Sequence, residues 1–264
     1  MTKLAANSWA ARLRALTPAR VGLGNTGVSQ PLRSQLEFQR AHALARDAVH
    51  ARLEAGALAE TLRAISGGEV LRLQSMAASG AASGAADRTI YLQRPDLGRR
   101  LDEASETILA REMQKEPKEH GLCDLAIVIA DGLSALAVER HAAPLLRAVL
   151  PKLEGWKLAP ICIVEQGRVA IGDEIGEALQ VALSVVLIGE RPGLSAPDSL
   201  GAYITWAPQV GRTDAERNCI SNIRAEGLSY AQAAAQLLFY LTEACRQRLT
   251  GVALKNDSRL IEEE

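Results

Sequence analysis

Charged residues follow three apolar runs in the second half of the sequence, each at the point where the run stops. Asp131 follows "LAIVIA", Glu165 to Val169 follow "APICIV", and Glu190 and Arg191 follow "ALSVVLIG". If these runs are parallel strands, their carboxyl ends lie at one edge of the sheet, where open α/β sheets bind ligands. Carboxylates there can accept hydrogen bonds from amides or hydroxyls, although each residue alone fits a turn equally well, and Asp131 could cap a helix. Together the three ends predict a ligand site.

Cys219, in "RNCISNIR", is a candidate nucleophile. A cysteine nucleophile needs a histidine base, and no histidine follows His141, so the base would be His141 or a histidine of the N-terminal half. A free cysteine usually behaves as a small apolar residue, which favours a packing or cofactor-wall position for Cys219. The sequence presents no triad, carboxylate pair or metal-ligand set, and we expect no catalytic residue in this chain.

The segment "GLGNTG", residues 22–27, matches the GxGxxG pattern of dinucleotide-binding proteins. That pattern places a pyrophosphate on the first amides of a helix, and it requires a buried strand directly before the glycines and a helix directly after them. Here "LTPAR" precedes the segment and "VSQP" follows it. A glycine-rich turn is therefore favoured, and a nicotinamide-dependent oxidoreductase is kept as an alternative function.

The secondary structure that positions these residues is predicted from the pattern of apolar segments after Asp124. Four short apolar runs, "LAIVIAD", "APICIVEQ", "ALSVVLIG" and "GAYITWAP", alternate with helical stretches. Continuous apolar runs are typical of strands buried on both faces, and their alternation with helices predicts right-handed crossovers and a parallel sheet. The predicted fold class is α/β, a Rossmann-like parallel sheet domain over residues 88–264.

An N-terminal helical arm and linker is predicted over residues 1–87. Leu32, Leu36, Leu44 and Ala48 recur at helical spacing, so we expect this face of an amphipathic helix to pack on the domain. The segment "MAASGAASGAAD" has the composition of a flexible connection and places the domain boundary there. Residues 1–55 are basic, which indicates solvated helix faces or, as the alternative, docking on an acidic partner.

The composition excludes several classes of protein. The 264 residues are 48% hydrophobic and 23% charged, with a formal net charge of -1, as in ordinary globular proteins. Near-neutral charge and 3% aromatic residues argue against nucleic-acid binding. No apolar stretch approaches the length of a membrane span, so we expect a cytoplasmic location.

Five motifs in the same order carry a family resemblance. They are "IYLQRPDLGRRL", "IADGLSALAV", "GRVAIGDEIGE", "LIGERPGLSAPDSLGAY" and "RNCISNIRAEGLS". In this order they resemble the small subunit of ethanolamine ammonia-lyase. The resemblance covers residues 16–251.

The resemblance implies an enzyme of two kinds of chain that uses adenosylcobalamin to convert ethanolamine into acetaldehyde and ammonia by radical chemistry. It implies a partner, the large barrel subunit, that holds the substrate, and a corrin ring bound between large and small chains. The cofactor-contacting positions of the family's small subunit correspond here to Val169, Glu190 and Cys219. Arg191 could pair with the phosphate of the cofactor's nucleotide tail or form a structural ion pair.

The resemblance also leaves alternatives open. A non-catalytic scaffold of the same fold that has lost its ligand is the second alternative function. Some family members carry an N-terminal extension associated with packaging into a bacterial microcompartment. Because the matched region begins close to the N-terminus of this chain, we expect a free cytoplasmic enzyme, with packaging in a bacterial microcompartment as the other possibility.

Overall fold

A computed structural model describes residues 9–17, 19–79, 88–115 and 124–255. The helices are α1 (Trp9–Leu16), α2 (Leu32–His50), α3 (Ala55–Ser66), α4 (Met76–Ser79), α5 (Arg88–Gln93), α6 (Glu103–Lys115), α7 (Ala135–Val149), α8 (Ile171–Ala178) and α9 (Tyr230–Gln247). The strands are β1 (Val70–Gln74), β2 (Asp124–Ala130), β3 (Lys157–Leu158), β4 (Ile161–Glu165), β5 (Leu183–Gly189), β6 (Leu200–Trp206) and β7 (Arg217–Ile223).

The strands form one sheet in the order β1-β4-β2-β5-β6-β7, with β3 paired to β2. The strands β1, β4, β2 and β5 are parallel, which confirms the predicted α/β class and the parallel core of the sheet. The strands β6 and β7 are antiparallel, so the expectation that "GAYITWAP" continues the parallel sheet is wrong. The loop 190–199 contains no helix, and a parallel crossover needs a longer connection.

Apolar side chains form a separate core on each face of the sheet. On one face, α3, α7 and α9 cover the strands, and this core extends across β6 and β7 to Ile204, Ile220 and Ile223. On the other face, α6 packs on β1, and α8 packs on β2 and β5. The apolar runs of β2, β4 and β5 are buried because helices lie on both of their faces.

The loops after β2 and β5 touch each other at the carboxyl edge of the sheet. Leu133 donates a backbone hydrogen bond of 2.9 Å to the carbonyl oxygen of Gly189. Gly132 has φ +58°, a conformation that favours glycine, and a Cβ atom on it would overlap Gly189. The helix α7 is capped by Ser134, whose Oγ accepts a hydrogen bond of 3.3 Å from Ala137 N. Asp131 is therefore not the cap of this helix.

The arm helix forms as predicted, but Ala48 is the one of its four predicted packing residues that is buried. Its buried residues are Ala41, Ala45 and Ala48, which allow a close approach to the domain. Three leucines that we expected to pack are exposed, at 69% for Leu32, 55% for Leu36 and 48% for Leu44. The leucine stripe thus remains open on the surface of this chain.

The region before residue 88 contributes to the sheet as well as to the arm. The strand β1 pairs with β4, and α3 packs on β1 and α7. The domain boundary at residues 87 and 88 stays a prediction, since residues 80–87 lie outside the described part of the chain. The helix α6 begins at Glu103, after a 3-10 turn at Leu97–Arg99.

No helix within the described ranges combines the length and the apolar character that crossing a membrane requires.

Candidate functional site

Val169, Glu190 and Arg191 lie at the carboxyl edge of the parallel strands, and Cys219 lies on the sheet face next to that edge. Val169 is in the loop between β4 and α8, and Glu190 and Arg191 directly follow β5. Cys219 is within β7, where it pairs with Tyr203 of β6. Val169 and Tyr203 both pack against the apolar core on the α6 and α8 face, which places these loops and strands on the same side of the sheet.

The carboxylate of Glu190 is held in place by neighbours on two elements. Its Oε2 accepts hydrogen bonds from Ser199 Oγ and, at 3.2 Å, from the backbone N of Asn222. A Cβ atom on Gly201 would lie 3.1 Å from Glu190 Oε1, tighter than an ordinary contact, so the glycine gives the carboxylate room. Within the described residues no donor binds Oε1, which can accept a hydrogen bond from a ligand.

The sheet face beside Glu190 is open. The helix α9 covers one face of β6 and β7, whereas on the other face α8 packs on β2 and β5. Cys219 and Ser221 are exposed there, and Tyr203 is half-buried. Burial, together with the nearby Cys219 thiol, raises the pKa of Tyr203, so its hydroxyl keeps its proton at neutral pH and can donate a hydrogen bond. This open face is partly apolar and has one fixed carboxylate at its edge.

Cys219 is a free thiol without a histidine base in the described structure. Its Sγ lies 3.1 Å from Ser221 Oγ. His141 is buried on the other side of the sheet in α7, where its Nδ1 lies 2.8 Å from the hydroxyl of Tyr230. His141 is therefore not a base for Cys219, and His120 lies outside the described residues.

Val169 lies at the wall of a cleft of about 670 Å³. Charged side chains of both signs line this cleft with it, among them Arg99, Arg168, Asp173 and Arg212. Arg191 is exposed, and it has no ion-pair partner within the described ranges, so its cation is available to an anionic group of a ligand.

Asp131 does not belong to the open site. Its carboxylate is buried and binds the guanidinium of Arg88, with Asp131 Oδ2 and Arg88 Nη1 2.7 Å apart. Burial raises the pKa of Asp131 to about 6, and the charge of Arg88 opposes this rise. An arginine of the same chain thus occupies the carboxyl end of β2, at the edge of the sheet where open α/β sheets bind ligands.

The segment "GLGNTG" lacks the structural context of a dinucleotide site. The helix α1 precedes it, and no strand lies directly before it within the described residues. Gly22, Gly24 and Gly27 have positive φ angles, as in a glycine-rich turn.

The described part of the chain contains no group of three or more histidine, cysteine, aspartate or glutamate side chains that could hold a metal ion.

Sequence reasoning did not predict several residues of this site. Ser199 reaches Glu190 where the pairing of β5 with β6 ends, whereas Tyr203 and Asn222 reach Cys219 and Glu190 through the antiparallel strands β6 and β7. The alternation of polar and apolar residues in "RNCISNI" could have predicted a strand with one exposed face, and this strand is β7.

Comparison with known proteins adds a family. The family model described as "Ethanolamine ammonia-lyase light chain (EutC)" matches residues 6–255. A protein of Pseudomonas aeruginosa strain PAO1, named ethanolamine ammonia-lyase small subunit, is 56% identical over 258 residues, which are 97% of this chain and 90% of that protein. The protein of the same name from Azotobacter vinelandii is 57% identical, over 96% of this chain and 90% of its own length. The protein of this name from Pseudomonas syringae pv. tomato is 54% identical, over 97% of this chain and 85% of its own length.

Proposed function

The chain belongs to the ethanolamine ammonia-lyase light chain family, and from this premise we propose that it is the small subunit of an adenosylcobalamin-dependent ethanolamine ammonia-lyase. Its role is to bind the cofactor at the interface with the large barrel subunit, where ethanolamine is converted into acetaldehyde and ammonia. The observation that carries this proposal is the fixed carboxylate of Glu190 at the edge of an open sheet face that also presents Cys219.

The residues at this edge suit a corrinoid. A corrin ring is broad and partly apolar, and it is fringed with amide groups, so its wall needs apolar contacts and a few placed acceptors. Val169 and Cys219 provide close apolar contact, and the free Oε1 of Glu190 accepts a hydrogen bond from a ring amide or a tail hydroxyl. Arg191 is exposed beside Glu190 and can pair with the tail phosphate.

When bound, adenosylcobalamin supplies the radical that abstracts hydrogen from the substrate. The residues of this chain bind and orient one face of the cofactor and exclude water from it. The open face contains no acid and base pair: Glu190 is held by Ser199 and Asn222, and the phenol of Tyr203 keeps its proton. We therefore assign binding and orientation, and no acid-base step, to this chain.

Reconstitution tests this assignment. We expect the complex of this chain with the large subunit to retain adenosylcobalamin through gel filtration and to release acetaldehyde and ammonia from ethanolamine. Each chain alone should do neither. Deamination by this chain alone with the cofactor would contradict the division of labour between the two subunits.

The arm is proposed to dock on the large subunit. The leucine stripe of α2 is exposed, and so are Arg33, Arg40 and Arg46 on the same helix. Arg20 connects this arm to the rim of the site, because its Nη2 lies 3.5 Å from the carbonyl oxygen of Leu194 in the loop after β5. A cytoplasmic location is proposed for the complex, with packaging in a bacterial microcompartment as the alternative.

Reversing the charge of Arg33, Arg40 and Arg46 to glutamate should weaken co-purification with the large subunit roughly tenfold, as three exposed ion pairs contribute about 0.5 kcal/mol each. Quantitative pull-down with a tagged large subunit measures the change. The same reversal at three exposed cations outside the arm, Arg147, Lys152 and Arg248, is the matched control. Equal retention of both triple variants would leave α2 as a solvated helix.

A further inference from the structure

Arg88, the first residue of α5, is buried at the carboxyl end of β2. Its Nη1 binds Asp131 Oδ2 at 2.7 Å, and its Nη2 donates a hydrogen bond of 2.5 Å to the carbonyl oxygen of Gly132. The side chains of Arg88 and Asp131 are only 4% and 3% exposed. A side chain that is buried in this way cannot contact a ligand. Arg88 can therefore act through the residues that it binds, Asp131 and Gly132.

The network of Arg88 continues to Gly167, in the loop that follows β4. The second oxygen of Asp131, Oδ1, accepts a hydrogen bond of 3.2 Å from Gly167 N. The hydroxyl of Tyr91, a fully buried residue of α5, donates a hydrogen bond of 3.1 Å to the carbonyl oxygen of Gly167. Both backbone polar groups of Gly167 are therefore bound by side chains that belong to α5 or are paired with it.

The next residue, Arg168, is fixed by the same segment. Its backbone N donates a hydrogen bond of 2.7 Å to Gly98 O, and its Nη2 donates one of 3.0 Å to Tyr91 O. Its guanidinium carbon lies 4.1 Å from the centroid of the Tyr91 ring, a cation–π distance. A Cβ atom on Gly98 would lie 2.8 Å from Arg168 Cγ. The segments around Gly98 and Arg168 can therefore approach this closely because residue 98 is a glycine.

Val169 follows directly, at the end of a loop whose two preceding residues are held by α5 and the turn after it. We propose that Arg88 and Tyr91 are positioning residues, which hold the Gly167–Val169 segment in the place where Val169 contacts the corrin ring. This inference rests on the proposed function. It predicts that Arg88 and Tyr91, which do not contact the cofactor, affect its dissociation constant by fixing the position of the Gly167–Val169 segment.

The Tyr91→Phe variant tests the inference, because it removes one hydroxyl and keeps the ring under Arg168. We expect the two-chain complex with this variant to assemble normally and to bind adenosylcobalamin roughly three- to tenfold more weakly, as for one lost hydrogen bond. Equilibrium dialysis measures the dissociation constant. In hydrogen exchange, amides of residues 166–170 should exchange faster in the variant without any cofactor present, while those of α9 should not.

The matched control is Tyr230→Phe, which also removes one tyrosine hydrogen bond, to His141 on the other side of the sheet. It should leave the dissociation constant unchanged. Equal dissociation constants for Tyr91→Phe and wild type, or equal weakening by both tyrosine variants, would overturn the positioning role alone. A wild-type complex that binds no cobalamin would overturn the proposed function, and the positioning role with it. If Tyr91→Phe does not fold, Arg88→Lys replaces it with the same two readouts and the same outcomes.

Discussion

The two-chain complex that carries Glu190→Ala is expected to bind adenosylcobalamin roughly 10- to 150-fold more weakly than wild type, since a hydrogen bond to a charged group contributes about 1.5–3 kcal/mol. The carboxylate is held by Ser199 and by the backbone of Asn222, so its free oxygen is offered to a ligand at a fixed place. Equilibrium dialysis of the purified complex against labelled cofactor measures the change in affinity.

A glutamate in another part of the fold provides the control. Glu139 Oε1 accepts a hydrogen bond of 3.0 Å from Glu54 N, so Glu139→Ala also removes a carboxylate that binds one backbone amide. This variant should assemble and bind the cofactor as wild type does. Unchanged retention of the cofactor by the Glu190→Ala complex would assign this residue a structural role and would favour the non-catalytic scaffold.

The largest effect on stability is expected from Asp173→Ala. Asp173 binds the guanidinium of Arg217 through two oxygens, each 2.6 Å from an arginine nitrogen, and both side chains are almost fully buried. Removal of Asp173 leaves the buried arginine with a single, exposed carboxylate as its ion-pair partner, that of Asp214, and this costs about 3–5 kcal/mol. Equilibrium urea unfolding of the purified chain, followed by circular dichroism, measures this loss of unfolding free energy.

The same arginine offers a matched comparison. Asp214 Oδ1 lies 3.5 Å from Arg217 Nε, but the side chain of Asp214 is 95% exposed. Asp214→Ala should therefore cost less than about 1 kcal/mol. Replacing both buried partners, as in Asp173→Ala with Arg217→Met, should recover part of the stability. Similar losses for Asp173→Ala and Asp214→Ala would show that the buried pair contributes no more than an exposed one.

The parallel half of the sheet could be predicted from the sequence because its strands are apolar on both faces. The runs that form β2, β4 and β5 are continuous, and helices of ordinary pattern separate them. The antiparallel edge was harder to predict. The strand β7 alternates buried and exposed residues, and the direction of β6 depends on the loop 190–199, which has no helix to carry a crossover.

The packing of α2 shows why periodicity did not identify the buried face. Its leucines and its alanines both recur at helical spacing, and the more apolar leucine face was predicted to pack. The structure buries Ala48, which the prediction included, together with Ala41 and Ala45, and it leaves the three leucines exposed. Which face is covered depends on the shape of α7 beside it and on what else binds this chain, and neither is encoded in the helix itself.

Some residues of the candidate site could be predicted from the sequence and others could not. Val169, Glu190 and Cys219 could be named from their motifs, and Glu190 also from its place at a strand end. Asp131 shares that kind of place, but its partner Arg88 is distant in the sequence, so its burial could not be predicted. Ser199 and Asn222 depend on contacts between neighbouring strands and loops, which only the folded chain specifies.

The turn at Asp131 and Gly132 touches both sides of the proposed site. It contacts the loop before Val169 through Asp131 Oδ1, and it contacts the end of β5 through the hydrogen bond between Leu133 N and Gly189 O. The two rims are thus preorganised on one rigid support before any cofactor arrives. Because little conformational entropy is left to lose there, a larger share of the contact energy proposed for Val169 and Glu190 would remain as affinity.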